Sequence, residues 1–262
     1  MNHISRIADV AERLWRRFVW SECNISTVLA SGVKIRIRSR SEWDVFVEVF
    51  VEGEYDEAIR LALESATGRP ARIIDLGANV GFFGLRCLDV SRAAGKACEV
   101  LAVEGAGSVF AELHRRCGAN DFSPGSVLLC HGLVGKTAGR GYIYDGAYAG
   151  ANTVVPDGGK RSNLPFRGAH AVLSEYLDLE RLVAWNGSID LIKCDIEGSE
   201  FEFLQNYPDL LGRTRNLVIE FHPFHCDAQA CRNLLDSLGF VRQRVIKSFP
   251  THDLELYLRV RM

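Results

Sequence analysis

The sequence has no apolar run long enough to cross a membrane and no large excess of charge of either sign. A membrane-spanning helix needs roughly 18 consecutive apolar residues, and charged residues interrupt every apolar stretch here before that length. The segment from Met1 to Arg17 also lacks the continuous apolar core of a secretion signal. The formal net charge of −2 gives no sign of a polyanionic partner. We therefore expect a cytoplasmic protein that binds neither a membrane nor a nucleic acid.

The cysteines lack the regular spacing that builds a disulfide framework or a zinc site. All eight are scattered, and several stand inside apolar runs typical of strands, which fits reduced, buried thiols. The run from His222 to Cys231 contains two histidines and two cysteines but no second Cys-x-x-Cys pair. We assign no zinc site and no metal ligands from the sequence.

Three common motifs are also missing. A dinucleotide-binding turn carries Gly-x-Gly-x-x-Gly, a P-loop carries Gly-x-x-x-x-Gly-Lys-Ser/Thr, and an α/β-hydrolase carries Gly-x-Ser-x-Gly. None of them occurs in this chain. Their absence argues against an NAD-dependent enzyme, a P-loop NTPase and a hydrolase.

A different glycine turn is present between a predicted strand and a predicted helix. The apolar run Ile73–Leu76 is typical of a parallel strand buried on both faces, and a turn with the spacing Asp-x-Gly-x-x-x-Gly follows it. Such a corner of an α/β sheet binds nucleotide-like ligands. Because this turn carries an acid and no phosphate-binding lysine, it suits a nucleoside with a cationic or zwitterionic tail, such as S-adenosylmethionine (SAM). The candidate cofactor-binding residues here are Asp75, Gly77, Asn79, Gly81 and Phe82.

The first 70 residues are predicted to form an accessory layer. Residues 2–20 have apolar side chains at helical spacing, and we expect this helix to pack on the domain or on a second subunit of a homodimer. Residues 26–51 alternate between apolar and polar and predict two or three strands, with a turn at Ser31-Gly32 and the last strand near Val45–Phe50. A helix is predicted over 54–66.

From residue 71 onward, strands and helices alternate, which predicts an α/β fold with a mostly parallel sheet. Two final strands without a helix between them add one antiparallel strand. A loop-rich insertion at 135–170, with a hairpin near 141–144 and 153–155, is expected to act as a lid or substrate wall. The segment 71–262 is thus the predicted catalytic domain. Its predicted strands are 72–76, 98–103, 126–134, 189–194, 216–221, 239–241 and 254–258, and its predicted helices are 81–94, 107–118, 171–186, 227–238 and one starting after 198.

Ligands of such a sheet bind at the carboxyl ends of its strands, so polar residues there are candidates for function. Glu104 ends the second strand of the domain and can accept hydrogen bonds from the two hydroxyls of a ribose; the alternative is a cap on the following helix, a role for which glutamate is a poor choice. His131 ends the third strand and is expected near the adenine rather than at the reaction.

The densest polar cluster is Lys193-Cys-Asp-Ile-Glu-Gly-Ser-Glu200. For Lys193 and Glu200 we expect a structural ion-pair network, because a buried lysine must be paired. Asp195 and Glu197 stand at the strand end and are candidates to contact the methionine part of the cofactor, an acceptor or a divalent metal; a metal would need a further oxygen ligand that the sequence does not identify. His222, after the next strand, is a candidate general base or a simple hydrogen-bonded residue.

Three of these segments together resemble the FkbM family of SAM-dependent methyltransferases: 74–81, Val103-Glu104, and 190–200 with Ile219–His222 behind it. The stretch 50–56 is similar to the lead-in of that family. The resemblance implies a Rossmann-like, class I methyltransferase sheet of seven strands with the last strand antiparallel, and methyl transfer to a hydroxyl of a sugar or natural product, leaving S-adenosylhomocysteine (SAH). By position, Asp75, Gly77, Asn79 and Gly81 would hold the methionine and ribose, and Glu104 the ribose hydroxyls. Asp195, Glu197 and His222 would face a small-molecule acceptor, with Asp195 also near the cofactor.

Two features depart from that pattern: Gly105, where a proline is common, and the insertion at 135–170. Both leave the acceptor open, and the atom that is methylated and the need for a divalent metal stay open with it. The alternatives are an NAD-dependent oxidoreductase on a Rossmann-like fold and a non-catalytic interaction module that retains the fold.

Overall fold

A computed structural model of the chain describes residues 24–145, 154–155 and 170–260. The predicted helix over 2–20, with the homodimer expected from it, lies outside the described residues, as does Cys23. The seven cysteines within the described part form no disulfide bond. None of the described helices is long and apolar enough to span a membrane.

Strands and helices alternate along most of the described chain. The strands are β1 (Ile25–Val28), β2 (Lys34–Ile37), β3 (Ala71–Leu76), β4 (Cys98–Glu104), β5 (Val127–His131), β6 (Arg140–Asp145), β7 (Val154–Val155), β8 (His170–Glu175), β9 (Ile189–Cys194), β10 (Thr214–Phe221), β11 (Phe240–Ser248) and β12 (Asp253–Arg259). The α-helices are α1 (Arg40–Phe46), α2 (Asp56–Ser65), α3 (Phe82–Ala93), α4 (Gly107–Gly118), α5 (Leu179–Leu182), α6 (Glu200–Asn206), α7 (Pro208–Gly212) and α8 (Ala228–Ser237), with a π-helical segment at Val47–Glu52 between α1 and α2.

Seven strands form the central sheet, in the order β11-β12-β10-β9-β3-β4-β5. β10, β9, β3, β4 and β5 pair in parallel, and β12 runs antiparallel between β10 and β11. This arrangement confirms the predicted fold class. The register places Leu76 opposite Cys194 and Glu104 opposite His131, so the polar residues that follow these strands meet at one edge.

The sheet is covered on both faces, which explains the nearly continuous apolar runs of its central strands. Along β3, Ile73 joins a cluster that includes α2, α3 and α4 residues, whereas Ile74 and Leu76 join a second cluster built with α6, α7 and α8. Residues of the predicted accessory layer, such as Ile35 and Ile59, are fully or almost fully buried in the first cluster. That layer is therefore part of one wall of the core.

The prediction of a strand near Val45–Phe50 is wrong. Ser39 caps a helix there by accepting a hydrogen bond from the Glu42 N–H, and α1 continues into the π-helical segment. Val49 and Phe50 each follow Val45 and Phe46 by four residues, so all four share one helical face. Within a window of only a few residues, the same apolar side chains also fit the pattern of a strand.

The helix expected over 171–186 is also wrong for most of its length. His170–Glu175 is β8, which pairs antiparallel with β6, and helical structure is limited to α5, capped by Asp178. This pairing joins residues about 30 apart in the chain and overrides local helical spacing. The hairpin predicted near 141–144 and 153–155 is confirmed as the pairing of β6 with β7; residues 146–153 and 156–169 lie outside the described part.

Candidate active site

The turn after β3 passes directly beneath the end of β9. Gly77, Asn79 and Gly81 all have positive φ, at 74°, 49° and 92°. A Cβ atom on Gly77 would lie 1.7 Å from the Asp195 carbonyl oxygen, so only glycine fits at this crossing. The Gly77 and Ala78 N–H groups donate to the Val103 carbonyl oxygen, which fixes the turn against β4.

Glu104 holds the same turn from the other side. Its Oε2 accepts a hydrogen bond from the Asn79 N–H at 2.8 Å, and its Oε1 accepts one from the Ala106 N–H at 2.8 Å. Through the second contact, Glu104 does cap the start of α4, as the alternative to ribose binding predicted. The side chain still lines the cavity described below, and each carboxylate oxygen can accept a second hydrogen bond. Burial raises the pKa of Glu104, and the two backbone donors work against that rise.

Asp75 lies below the turn, not on the cavity wall. It is fully buried, and Lys193 Nζ lies 3.4 Å from its Oδ1 and 3.4 Å from Asp195 Oδ2 while donating to the Gly77 carbonyl oxygen at 2.7 Å. Burial raises the pKa of Asp75, and the nearby lysine only partly offsets it. Gly81 also lies away from the wall, against Leu113. Any role of Asp75 and Gly81 in binding a cofactor is therefore exerted through the shape of the turn.

A cavity of about 470 Å³ opens at this edge of the sheet. One end is formed by the turn and Glu104, with Asn79 and Phe82 among its walls, and the other by the carboxylates after β9 and β10. Ile143 from the insertion and Leu133 just before it add an apolar wall. Residues predicted from four distant segments thus line one space: Gly77, Asn79, Phe82, Glu104, Asp195, Glu197 and His222.

His222 stands at the centre of the acidic end. Its Nδ1 lies 2.9 Å from Oε1 of the fully buried Glu200. Its Nε2 lies 3.4 Å from Glu197 Oε2, 3.5 Å from Glu220 Oε1 and 4.0 Å from Asp195 Oδ1. Four carboxylates therefore surround one imidazole. The expectation that Glu200 is structural agrees with its place behind His222, where it also accepts from the Gly198 N–H.

These groups shift the pKa values of one another. Burial alone would lower the pKa of His222, but hydrogen bonds with Glu200 and Glu220 outweigh it and raise the pKa to about 11. Burial, followed by the charge of Asp195, raises the pKa of Glu197 to about 8, and the same two causes raise that of Glu220. The imidazole is consequently held in its charged form near neutral pH.

Several residues of the cavity were not predicted from the sequence. Glu220 lies in the family-like stretch Ile219–His222 and was assigned no role of its own, whereas it lines the same cavity. Tyr55, just before α2, lines the cavity with 6% of its surface exposed, and burial and the charges of Asp195 and Glu220 raise its pKa. Its signal was the family-like stretch 50–56. Lys247, paired with Glu48 and Glu54, had no sequence signal.

His131 does not reach the cavity. Its ring stacks on Phe110 with centroids 5.1 Å apart, and its Nε2 lies 3.1 Å from the Gly105 carbonyl oxygen. His131 itself is exposed at the end of β5. A contact with a bound adenine stays a prediction.

Solved structures similar to this chain include methyltransferases. The FkbM methyltransferase of Methylobacillus flagellatus KT is 18% identical, with a TM-score of 0.47 over 96% of this chain and 60% of that chain. The magnesium protoporphyrin IX methyltransferase of Synechocystis PCC 6803, solved with bound SAM, is 12% identical, with a TM-score of 0.47 over 95% of this chain and 91% of that chain. No curated protein matches the chain.

The model of one protein family covers most of the chain. The methyltransferase FkbM domain matches residues 75–248, which begin at the glycine turn and run through the strands that carry Glu104, Asp195 and His222. The family expected from the motifs is thereby confirmed: the chain belongs to the FkbM methyltransferase family.

Proposed function

We propose that this methyltransferase takes its methyl group from SAM and transfers it to a hydroxyl of a small-molecule acceptor, a sugar or a natural product. The observation that carries the proposal is the single cavity that joins the glycine turn and Glu104 to the carboxylates and imidazole at its other end. One end is suited to a nucleoside, and the other is suited to hold and deprotonate a polar acceptor.

The residues at the first end fit SAM. The cavity volume of about 470 Å³ is in the range of small-molecule sites. Glu104 offers acceptor positions for ribose hydroxyls, Gly77 and Asn79 of the turn line the cavity with it, and the nearby carboxylates suit a cationic tail. When bound, SAM supplies an activated methyl group on a sulfonium.

The second end supports the removal of a proton from the acceptor. Asp195 and Glu197 line the cavity, and about a quarter of each side chain stays exposed to it, at 27% and 25%. We assign proton acceptance to these two carboxylates. The sequence predicted His222 as a candidate general base, but it lies among carboxylates that stabilise its charged form. In this proposal it orients Asp195 and Glu197, while the apolar walls Leu133 and Ile143 exclude water.

A binding titration tests the assignment of the cofactor. We expect the purified chain to bind SAH and not to bind NAD, because the turn lacks the third glycine and the phosphate contacts of a dinucleotide site. Binding should be measured by calorimetry for both ligands. Saturable binding of NAD without SAH would contradict the proposal, and SAH binding without methyl transfer to any hydroxylated acceptor would favour a non-catalytic module.

We also propose a cytoplasmic location. The seven cysteines of the described part are unpaired, and most of them are buried, as is typical of proteins in a reducing compartment.

A further inference from the structure

The carboxylates and imidazole at the acidic end of the cavity converge on one point between β9 and β10. We propose that Asp195, Glu220 and His222 bind one divalent metal ion there, with Glu197 beside it. Each of the three residues offers one ligand atom, and these atoms all lie within 4.8 Å of one another. This inference concerns metal binding by the chain itself and does not require the proposed methyl transfer.

The spacing fits a common centre. Ligand atoms that each lie about 2.0–2.2 Å from one ion can be up to about 4.4 Å apart. His222 Nε2 is 3.5 Å from Glu220 Oε1 and 4.0 Å from Asp195 Oδ1, so little movement is needed. Three protein ligands leave further coordination positions open to water or an acceptor oxygen.

The carboxylates at this end outnumber the positively charged groups beside them, His222 and Lys193. Asp195, Glu197, Glu220 and Glu200 contribute four carboxylates around His222. Lys193, the lysine beside them, is shared with the fully buried Asp75. Because closely spaced carboxylates removed from water need a counter-charge, a divalent cation would complete the cluster.

The orientation of His222 points to a metal independently of the carboxylates. Its Nδ1–H donates to the fully buried Glu200, which leaves Nε2 facing Asp195 and Glu220. The ion would displace the proton that Nε2 carries in the metal-free imidazolium. A buried carboxylate that fixes one ring nitrogen while the other faces a cluster of oxygens is the arrangement that supports metal-ligating histidines. Glu200 is thus a positioning residue in this proposal.

Tyr55 supplies a second independent indication that a ligand belongs here. Only 6% of the surface of Tyr55 is exposed, and the residue lines this cavity. Its hydroxyl makes no hydrogen bond within the described part of the chain and keeps access to the cavity. A buried phenol normally has a hydrogen-bond partner. Water or an acceptor hydroxyl bound to the cation would provide one.

The chemistry of the ligands favours a hard ion. Two carboxylates, a third beside them and one imidazole suit Mn²⁺ or Mg²⁺ better than a soft ion, which prefers thiolates. Such an ion would lower the pKa of a hydroxyl bound to it, and the released proton would pass to Glu197.

The test is a titration of the chelator-treated, full-length chain with Mn²⁺ alone, following the free Mn²⁺ signal by electron paramagnetic resonance. We expect one saturable site per chain. Asp195→Asn combined with Glu220→Gln should abolish it, and Glu200→Gln should weaken it by about 10- to 100-fold, the usual effect of losing a supporting carboxylate. Glu175→Gln, an exposed glutamate paired only with Arg140 among the described residues, should bind Mn²⁺ like the wild type.

Absence of saturable Mn²⁺ binding by the wild type would overturn the proposal, and so would wild-type affinity in the Asp195→Asn/Glu220→Gln variant. The far-ultraviolet circular dichroism spectrum and the urea unfolding midpoint of each variant, measured in parallel, show that it is folded. A chain that binds SAH but not Mn²⁺ would refute the metal site and leave the proposed function standing.

Discussion

At the scale of single residues, the two ends of the cavity should fail in different ways when they are altered. Glu104→Ala removes the carboxylate proposed for the ribose, and hydrogen bonds to a charged group contribute about 1.5–3 kcal/mol, so we expect a marked loss of SAM affinity. His222→Ala should leave SAM affinity nearly unchanged and lower turnover by about 100-fold or more, the usual size of effects on proton transfer.

Calorimetry with SAH and a steady-state methylation assay separate these two effects. His114, on the exposed face of α4, provides the matched control, and His114→Ala should behave like the wild type in both measurements. Unchanged turnover in His222→Ala would remove that residue from the proposed mechanism.

Gly77 allows a second test at this scale. Gly77→Ala combines a positive φ of 74° with a Cβ atom 1.7 Å from the Asp195 carbonyl oxygen, so the end of β9 must move. We expect a loss of about 2–5 kcal/mol in the free energy of unfolding, the sum of the backbone and overpacking costs. Gly95→Ala has a similar φ of 62° and nothing within 4 Å, and should cost only about 1–2 kcal/mol. Equal urea midpoints for the two variants would show that the turn at Gly77 does not pack closely against the Asp195 carbonyl group.

The residues of the site were more predictable than their contacts. Asp195, Glu197 and His222 follow buried strands, and the ends of parallel strands meet, so their grouping could be inferred from order alone. The buried position of Asp75 could not be inferred in this way, because it depends on the contact with Lys193 of β9. Tyr55 and Lys247 reach the cavity from segments with no strand-end pattern; the family-like stretch 50–56 contains Tyr55, whereas no sequence pattern indicates Lys247.

At the scale of elements, local sequence specified the strands of the sheet better than the elements around it. β9 and α4 have the predicted bounds, because a buried apolar run and an amphipathic helix are local patterns. The prediction at 45–50 was wrong because a short apolar window fits both the helical and the strand period. The prediction at 171–186 was wrong because pairing with the distant strand β6 decides the structure there. β11 extends to Ser248, well beyond the predicted 239–241, because its pairing with β12 supports residues that are not apolar.

The junction of α8 with β12 predicts a dependence of stability on pH. Arg232 Nη2 lies 2.8 Å from Asp253 Oδ2 and 2.8 Å from Glu255 Oε1. Burial would raise the pKa of Asp253, but Ser248 and Arg232 outweigh it and the pKa is lowered. A lowered pKa contributes stability above the unfolded value near 3.8, and this contribution is lost as the pH falls through the folded value.

Asp253→Asn should therefore cost up to about 1 kcal/mol at pH 7, and the difference from the wild type should shrink as the pH falls below about 4. Urea unfolding at a series of pH values measures it. Asp209→Asn is the control, since this exposed carboxylate makes no ion pair within the described residues. A difference between Asp253→Asn and the wild type that stays constant with pH would argue against the ion pair as its source.

At the scale of the whole molecule, the predicted architecture is confirmed where physical rules are strong. Right-handed crossovers and short connections leave few ways to arrange alternating strands and helices, and the observed order β11-β12-β10-β9-β3-β4-β5 is one of them. The boundary placed at residue 70 stays a prediction. The core does not divide there, because Ile35 and Ile59 pack in the same cluster as Ile73.

The position of Tyr55 and Glu48 on the cavity wall has a consequence for how such enzymes diversify. The family model starts at residue 75, so both lie in a stretch outside it, whereas the turn, Glu104 and His222 lie inside. Substitution or recombination upstream of residue 75 could reshape the chamber for a new acceptor while the cofactor end is inherited unchanged. Part of the wall around the acceptor would then vary independently of the methyl-donor end, while Asp195, Glu197 and His222 stay within the family-matched region.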